Sequence, residues 1–477
     1  MIPVLVTLAT GLSLAYAVLA PSPVLEARAS SSAITAAPQL SSAIATFEAE
    51  VATLAAAGLA LEAILLDIVP PSASDSIPAA VSRAASAYSA HPTDFYQEIA
   101  SLVFNGVVPG DIALIEAGFI VENSNTNILN PLPKSNIYPK SSTDAPYDVP
   151  ELTLRAAMYI PPGFTYGAKQ PVLLVPGTGG YAGEQFATNC GLLTFATYCR
   201  LTVFPVAKLF ANSPNADPVF LNLPDNALDD IQVYAEYVAY GINYLNSITG
   251  KKVATYGWSQ AAVTVRWATK YWPSTRSASS VSIQISPDYH GSIVELALCP
   301  VPGGSCAPSV LQQAYNATFI ATLRNNGGDS PYIPLTSIYS AFDDVVQPQV
   351  SGPGASGFSN DGHGVGVTNV FLQDVCGFIL PGGAPQNTHE GVLYNALALA
   401  LANDTLTTGK NANLAHVNTA SLCEKFAPDG LSLADVAVTI SNIVISGINI
   451  ADAPNKSSTE PPIKAYAMKD IPSGFSG

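Results

Sequence analysis

From Glu151 onward the chain alternates two kinds of apolar pattern. Short apolar runs read as strands: LTLRAAMYI (152–160), PVLLVPG (171–177), LTVFPV (201–206), KKVATYGWS (251–259), VSIQISPDY (281–289), LTSIYSAFDD (335–344) and NVFLQDVCGFIL (369–380). Between them DDIQVYAEYVAYGINYLNSITG and QAAVTVRWATKYW repeat apolar residues at helical spacing. Strands alternating with helices across short turns predict an α/β fold, a mostly parallel central sheet with helices on both faces. In such sheets chemistry gathers at the carboxyl ends of the strands, so each candidate residue is asked whether it follows one.

Residues 21 to about 140 have a different character. Ala29 to Ala90 is rich in Ala and Ser, and AIATFEAEVATLAAAGLALEAILLDIV has helical spacing with little strand character. A Pro/Ser/Asn-rich stretch (127–150) has the composition of a linker or an extended wrap. Residues 21–140 are expected to form a helical N-terminal extension or a pro-segment, and 141–477 the catalytic unit. Residues 1–20, apolar and ending in small residues before Pro21, read as a secretory signal. The Ala/Leu-rich run from Gly391 to Ala402 is too short to span a bilayer and reads as a core helix, so no transmembrane span is expected.

Composition narrows the partners. With 48% hydrophobic and 11% charged residues the chain has a large core and a weakly charged surface. A formal charge of -16, from 19 Lys and Arg against 35 Asp and Glu, argues against nucleic acid and anionic lipid headgroups but not against neutral lipid. An even count of six cysteines in an exported chain favours disulfides. By proximity Cys190 with Cys199 and Cys299 with Cys306 close small loops, leaving Cys376 with Cys423. Sequons at Asn316, Asn403 and Asn455 are candidate glycan sites. No metal or other cofactor is expected, and the chain is expected to act as a monomer.

Gly257-Trp258-Ser259-Gln260-Ala261 stands where strand VATY gives way to helix QAAVTVRWATKYW. This is close to the G-x-S-x-G turn of α/β-hydrolases, which forces its serine into a strained conformation and needs small residues two before and two after it. Ser259 is thus the candidate nucleophile, against the plainer reading of a serine capping an ordinary turn. The Gly-rich turn after PVLLV offers Thr178, with Gln260, as donors to an oxyanion. It lacks the spacing of a phosphate-binding loop. Candidate base and acid must follow later strands. His389, in PGGAPQNTHEG after the last strand, passes; His363 precedes that strand, and His416 lies far beyond it. Asp343 ends the preceding strand and is preferred as acid over its neighbour Asp344. Asp288 reads as a turn residue rather than a third carboxylate of the site.

LLVPGTGG, W-S-Q, S-P-D-Y-x-G, L-R-N-x-G-G, Y-S-A-F-D-D-V-V-Q-P-Q, V-C-G and EPPIKAYAMKDIPSG occur here in one order. From about Ser141 to the C-terminus the chain resembles the fungal lipases of the Candida antarctica lipase B type. The resemblance implies an α/β-hydrolase fold and a secreted serine ester hydrolase, foremost a triacylglycerol lipase acting on lipid or ester substrates. It implies Ser259 as nucleophile, Asp343 as acid, His389 as base, and Thr178 and Gln260 as oxyanion hole. Asp288 and Gln347 would line the site, and Cys376 with Cys423 would be a disulfide. There are departures: Thr388 and Ala261 replace the family's Asp and Gly beside its base and nucleophile. Gly180 and Gln185 replace small hydroxyl residues and reshape the alcohol pocket beside Trp258. CPVPGGSC is an insertion near the family's mobile entrance helix. Acyl chains are expected to lie against the apolar helices after His389 and the segment Ile293 to Leu298. A shorter-chain esterase or acyltransferase fits the same residues; a catalytically silent hydrolase-like surface protein is the rival from another class.

Overall fold

The computed structural model describes residues 33–51, 57–70, 76–91, 94–111, 115–116, 119, 121–186, 216–299 and 304–475. The expected signal segment 1–20, the expected strand 201–206 and the expected Cys190–Cys199 pair lie outside the described residues. Among those described, Cys299 is bonded to Cys306 and Cys376 to Cys423.

Among the described residues a sheet of seven strands organises the catalytic region: β1 (Met158–Tyr159), β2 (Gln170–Val175), β3 (Ala216–Leu221), β4 (Val253–Trp258), β5 (Ser279–Ile285), β6 (Leu335–Tyr339) and β7 (Val367–Phe371). Their order across the sheet is β1-β3-β2-β4-β5-β6-β7. Only β1 runs antiparallel, against β3. The apolar runs of β2 are continuous because alternate residues serve opposite faces. Leu173 and Val175 join one core with α6 (Ile231–Thr249) and α7 (Ala261–Tyr271), whereas Val172 and Leu174 join another with α8 (Ala396–Thr408) and α9 (Leu433–Ala451).

Three readings of the pattern need correction. LTLRAAMYI is not one strand: α5 (Glu151–Ala156) takes its first half and only Met158–Tyr159 pair in the sheet. Pro150 starts that helix and the Asn130 side chain caps its end by donating to the carbonyls of Arg155 (2.9 Å) and Met158 (2.7 Å), so tertiary capping overrides the apolar pattern. NVFLQDVCGFIL leaves the sheet at Phe371 and turns into a short helix, Leu372–Cys376. There Gln373 bonds the loop after β6, and Phe378, Ile379 and Leu380 are left exposed. Strand β3 was not expected, because its Asp217 and Pro218 interrupt the apolar run.

The Ala/Ser-rich extension folds into α1 (Ala37–Glu50), α2 (Ala57–Asp67), α3 (Ile77–Ala90) and α4 (Phe95–Phe104). The long helical stretch of the sequence is therefore two helices. They are not a separate unit hung on a linker: Leu40, Ile44, Leu61, Val81, Ile99 and Val103 belong to the same core as Val172, Ile283 and Ile440. Their main seat is α9, which α2, α3 and α4 all touch. Among the described residues α9 is the one helix long and apolar enough to cross a membrane, and most of it is buried under the extension. The approach is close at Gly447, where a Cβ would fall 2.8 Å from Ile99 Cδ1 and 3.1 Å from Phe95 Cε1.

Candidate active site

Strand β4 ends at Trp258 and α7 begins at Ala261, so the chain reverses within two residues. Ser259 takes φ +57° there, the left-handed region that costs a non-glycine residue about 1–2 kcal/mol. Its amide donates to the Ile285 carbonyl of the neighbouring strand (2.9 Å), which pins the turn to the sheet. The flanking positions are filled by backbone and small groups. A Cβ on Gly257 would come within 2.4 Å of Gln284 Oε1 and 2.5 Å of Ala261 Cβ. One on Gly177 would meet Ser259 Cβ at 3.1 Å. Ala261 is thus accommodated because position 257 has no side chain.

Asp343 and His389 meet from loops after β6 and β7. The imidazole Nδ1 lies 2.9 Å from Asp343 Oδ2 and 3.0 Å from Oδ1, and both side chains are buried. The backbone amides of Val345 and Val346 donate to Asp343 Oδ1, fixing the carboxylate. Asp344 faces the other way: its Oδ1 accepts the His389 backbone N–H (3.0 Å). The His389 carbonyl in turn accepts from Trp258 Nε1 (3.0 Å) and Ser286 Oγ (2.8 Å). The His389 loop is therefore tied to the strand that carries the serine. Burial of His389 works against its charged form, but the adjacent Asp343 carboxylate and their hydrogen bond outweigh it and raise the imidazole above its ordinary value of 6.5. Asp343 is also raised, because its burial exceeds the pull of the imidazole.

Ser259, His389, Thr178 and Trp258 line one small cavity of about 20 Å³, with Phe95, Glu295, Leu298, Val345, Ile443, Ser446 and Ile450 as its other walls. The Thr178 hydroxyl donates to Gln260 Oε1 (2.6 Å) and Gln313 Nε2 donates to the Thr178 hydroxyl (2.9 Å), which holds the two expected oxyanion residues together.

The other expected pocket residues stand behind this cavity. Gln185 Oε1 accepts the Gly177 amide (2.7 Å), and a Cβ on Gly180 would strike the Gln185 side chain at 2.5 Å. Both residues shape the Gly-rich turn. Gln347 donates from Nε2 to the Asp343 carbonyl and so braces the loop after β6. Asp288 is fully buried, and burial pushes its carboxyl up to about 7. His363 is remote: its Nδ1 contacts the Pro331 carbonyl and its ring stacks on Tyr332. His416 is paired with Asp404 near the surface. Of the expected acyl-lining segments, Leu298 is at the cavity, whereas α8 packs on β5 and β6 and the helical wall comes from α9. Phe95 escaped the sequence reading, and of the apolar helices expected after His389 it is α9 that lines the cavity. The apolar stripe Ile443, Ile450 is visible in the sequence at helical spacing, but nothing local says which cavity it faces, and Phe95 carries no signal at all.

No family model matches the chain. Lipase B of Pseudozyma antarctica is 30% identical over 276 residues, which are 57% of this chain and 72% of that protein. The crystal structure of Aspergillus fumigatus lipase B superposes with a TM-score of 0.75 at 36% identity, covering 94% of this chain and 99% of that one. The mature form of Bacillus licheniformis lipase BlEst2 gives a TM-score of only 0.30 at 15% identity over 42% of this chain, too small an overlap to carry weight. The shared sheet and helices confirm the α/β-hydrolase fold with its helical N-terminal region, and the chain belongs to the lipase B family of fungal lipases, carboxylic ester hydrolases that its motifs resemble.

Proposed function

We propose that this chain is a secreted triacylglycerol lipase working through a Ser259–His389–Asp343 triad. The observation that carries the reading is the strained Ser259 turn facing, across one cavity, an imidazole already held by a buried carboxylate. In this reading His389 takes the Ser259 proton as the hydroxyl attacks the ester carbonyl, and Asp343 steadies the imidazolium that forms. The oxyanion settles on the amides of Thr178 and Gln260, with the Thr178 hydroxyl turning from Gln260 Oε1 to join them. The alcohol leaves with the His389 proton, and water then resolves the acyl-enzyme by the same route. The apolar face of α9 would receive the acyl chain. An extracellular setting is supported by the signal-like leader and the two disulfides, which oxidising compartments preserve. Asn316, Asn403 and Asn455 are all exposed, as glycan acceptors must be.

An acyl-chain series of glycerol esters, assayed below and above the solubility limit of each, tests the substrate class. A lipase is expected to turn over long-chain esters and to gain rate once a lipid phase forms. Saturation below the limit with short chains only would make it an esterase. Hydrolysis of no ester by folded protein would leave the silent surface protein.

A further inference from the structure

A cavity of about 20 Å³ has room for about one water molecule and none for an ester, so Ser259 is closed to substrate in this arrangement. The obstruction is specific. Phe95, the first residue of α4, lines this cavity together with His389 and with Ile443 and Ile450 of α9, and α4 seats on α9 at Gly447. One turn further along α4, Glu98 is 2% exposed and faces Asp344, the residue next to the candidate acid. The two carboxyl groups, with Asp94 and the Ile293–Leu298 segment, line a second cavity of about 220 Å³. Glu98 Oε1 and Asp344 Oδ2 are buried there without hydrogen-bond partners.

We propose that α4 is a plug released by alkali: when Glu98 loses its proton against Asp344, the buried like charges unseat α4, Phe95 leaves the catalytic cavity and substrate enters. The inference rests on the triad reading above and adds its regulation. A protonated Glu98 can donate to Asp344 and hold the plug, whereas two carboxylates packed side by side away from bulk solvent repel. The groups facing the pair make matters worse for the charged form. Asp343 stands behind Asp344, Asp94 precedes Glu98 on α4, and Glu48 on α1 pairs with Asp94. Glu295, from the segment opposite, faces Asp288 and Asp343. None of these interactions involves a lysine or arginine, and among the described residues the basic group that faces Asp343, His389, is committed to it. Tyr88 on α3 donates to Glu390 beside His389; burial pushes that carboxyl up to about 8, and its ionisation strengthens the acceptor, so this tie works against release as pH rises.

The direction follows from where Glu98 is harder to ionise. Burial, then the nearby carboxyls, raise its seated value well above the ordinary 4.5. Released into water it returns to that ordinary value, so the seated state holds the extra proton. Seating is therefore strongest in acid and is lost as pH climbs from the ordinary value through the seated one, by up to about tenfold in the equilibrium per pH unit.

Hydrogen exchange of the full-length protein at residues 95–104, corrected for intrinsic pH dependence, reads the plug without any catalysis. In the wild type the corrected rate is expected to rise with pH by up to about tenfold per unit, while Glu98→Gln, which keeps a neutral donor, rises clearly less, by what Glu48 against Asp94 contributes. A flat wild type, or an equal rise in Glu98→Gln, overturns the proposal. Hydrolysis of soluble p-nitrophenyl butyrate in the same pair should show a wild-type to variant ratio that grows with pH. If exchange behaves as expected but neither protein hydrolyses the ester, the plug stands and the triad reading falls. If both hydrolyse it at a constant ratio and exchange alike, the reverse holds.

Discussion

Ser259→Ala is expected to lose roughly 10⁶-fold in kcat toward p-nitrophenyl esters while its circular dichroism and thermal transition stay close to wild type or improve slightly. The loss is large because removing a nucleophile disables the unit that acts with it, leaving only whatever the oxyanion donors and binding supply, roughly 10³–10⁴-fold over water. Folding should be spared for a reason visible in the turn. Ser259 holds its place through its backbone, by the bond to Ile285, and no packing depends on its hydroxyl. Alanine suffers the same left-handed strain at φ +57° as serine. Turnover within tenfold of wild type would remove Ser259 from the mechanism.

The second large effect separates two adjacent carboxylates. Asp343→Asn should cost roughly 10⁴-fold in kcat, because an amide facing Nδ1 favours the wrong imidazole tautomer and no longer balances the imidazolium. Asp344→Asn should cost less than about tenfold, since the amide oxygen still accepts the His389 backbone N–H that Asp344 holds at 3.0 Å. The pH profile adds an independent check. His389 must be neutral to act as base, and Asp343 raises it above 6.5, so the acid limb of kcat/KM in the wild type should lie above that value. Activity appears as pH rises through the limb. Equal losses in the two variants, or a limb well below 6.5, would mean that the roles of these residues are misassigned.

Much of the architecture was legible because it rests on local pattern. The β4–Ser259–α7 turn announces itself through a strand, two small residues and a helix, and structure adds only the value of φ. The choice between Asp343 and Asp344 was legible in part: alternation says that one of the pair faces inward, and the two amides that grip Asp343 show which. What escaped reading depends on distant partners. LTLRA becomes helix because Asn130, outside any regular element, caps it, and β3 pairs despite its proline because β1 and β2 flank it. Phe95 lies 164 positions before Ser259 in the chain, and no periodicity connects them. The Gly180 and Gln185 positions were expected to shape the alcohol pocket directly; they act on the turn behind it, a distinction that side-chain identity alone does not carry.

The shared apolar layer beneath α1–α4 bears on how the protein can be handled. A recombinant chain starting near residue 140 would leave Leu433–Ala451, nineteen residues apolar enough for a bilayer, facing the buffer. Such a fragment should clump, or sit in detergent micelles, however sound its catalytic centre. Producing it as a soluble reagent would call for polar replacements along that helix or for co-expression of the missing helices as a separate polypeptide.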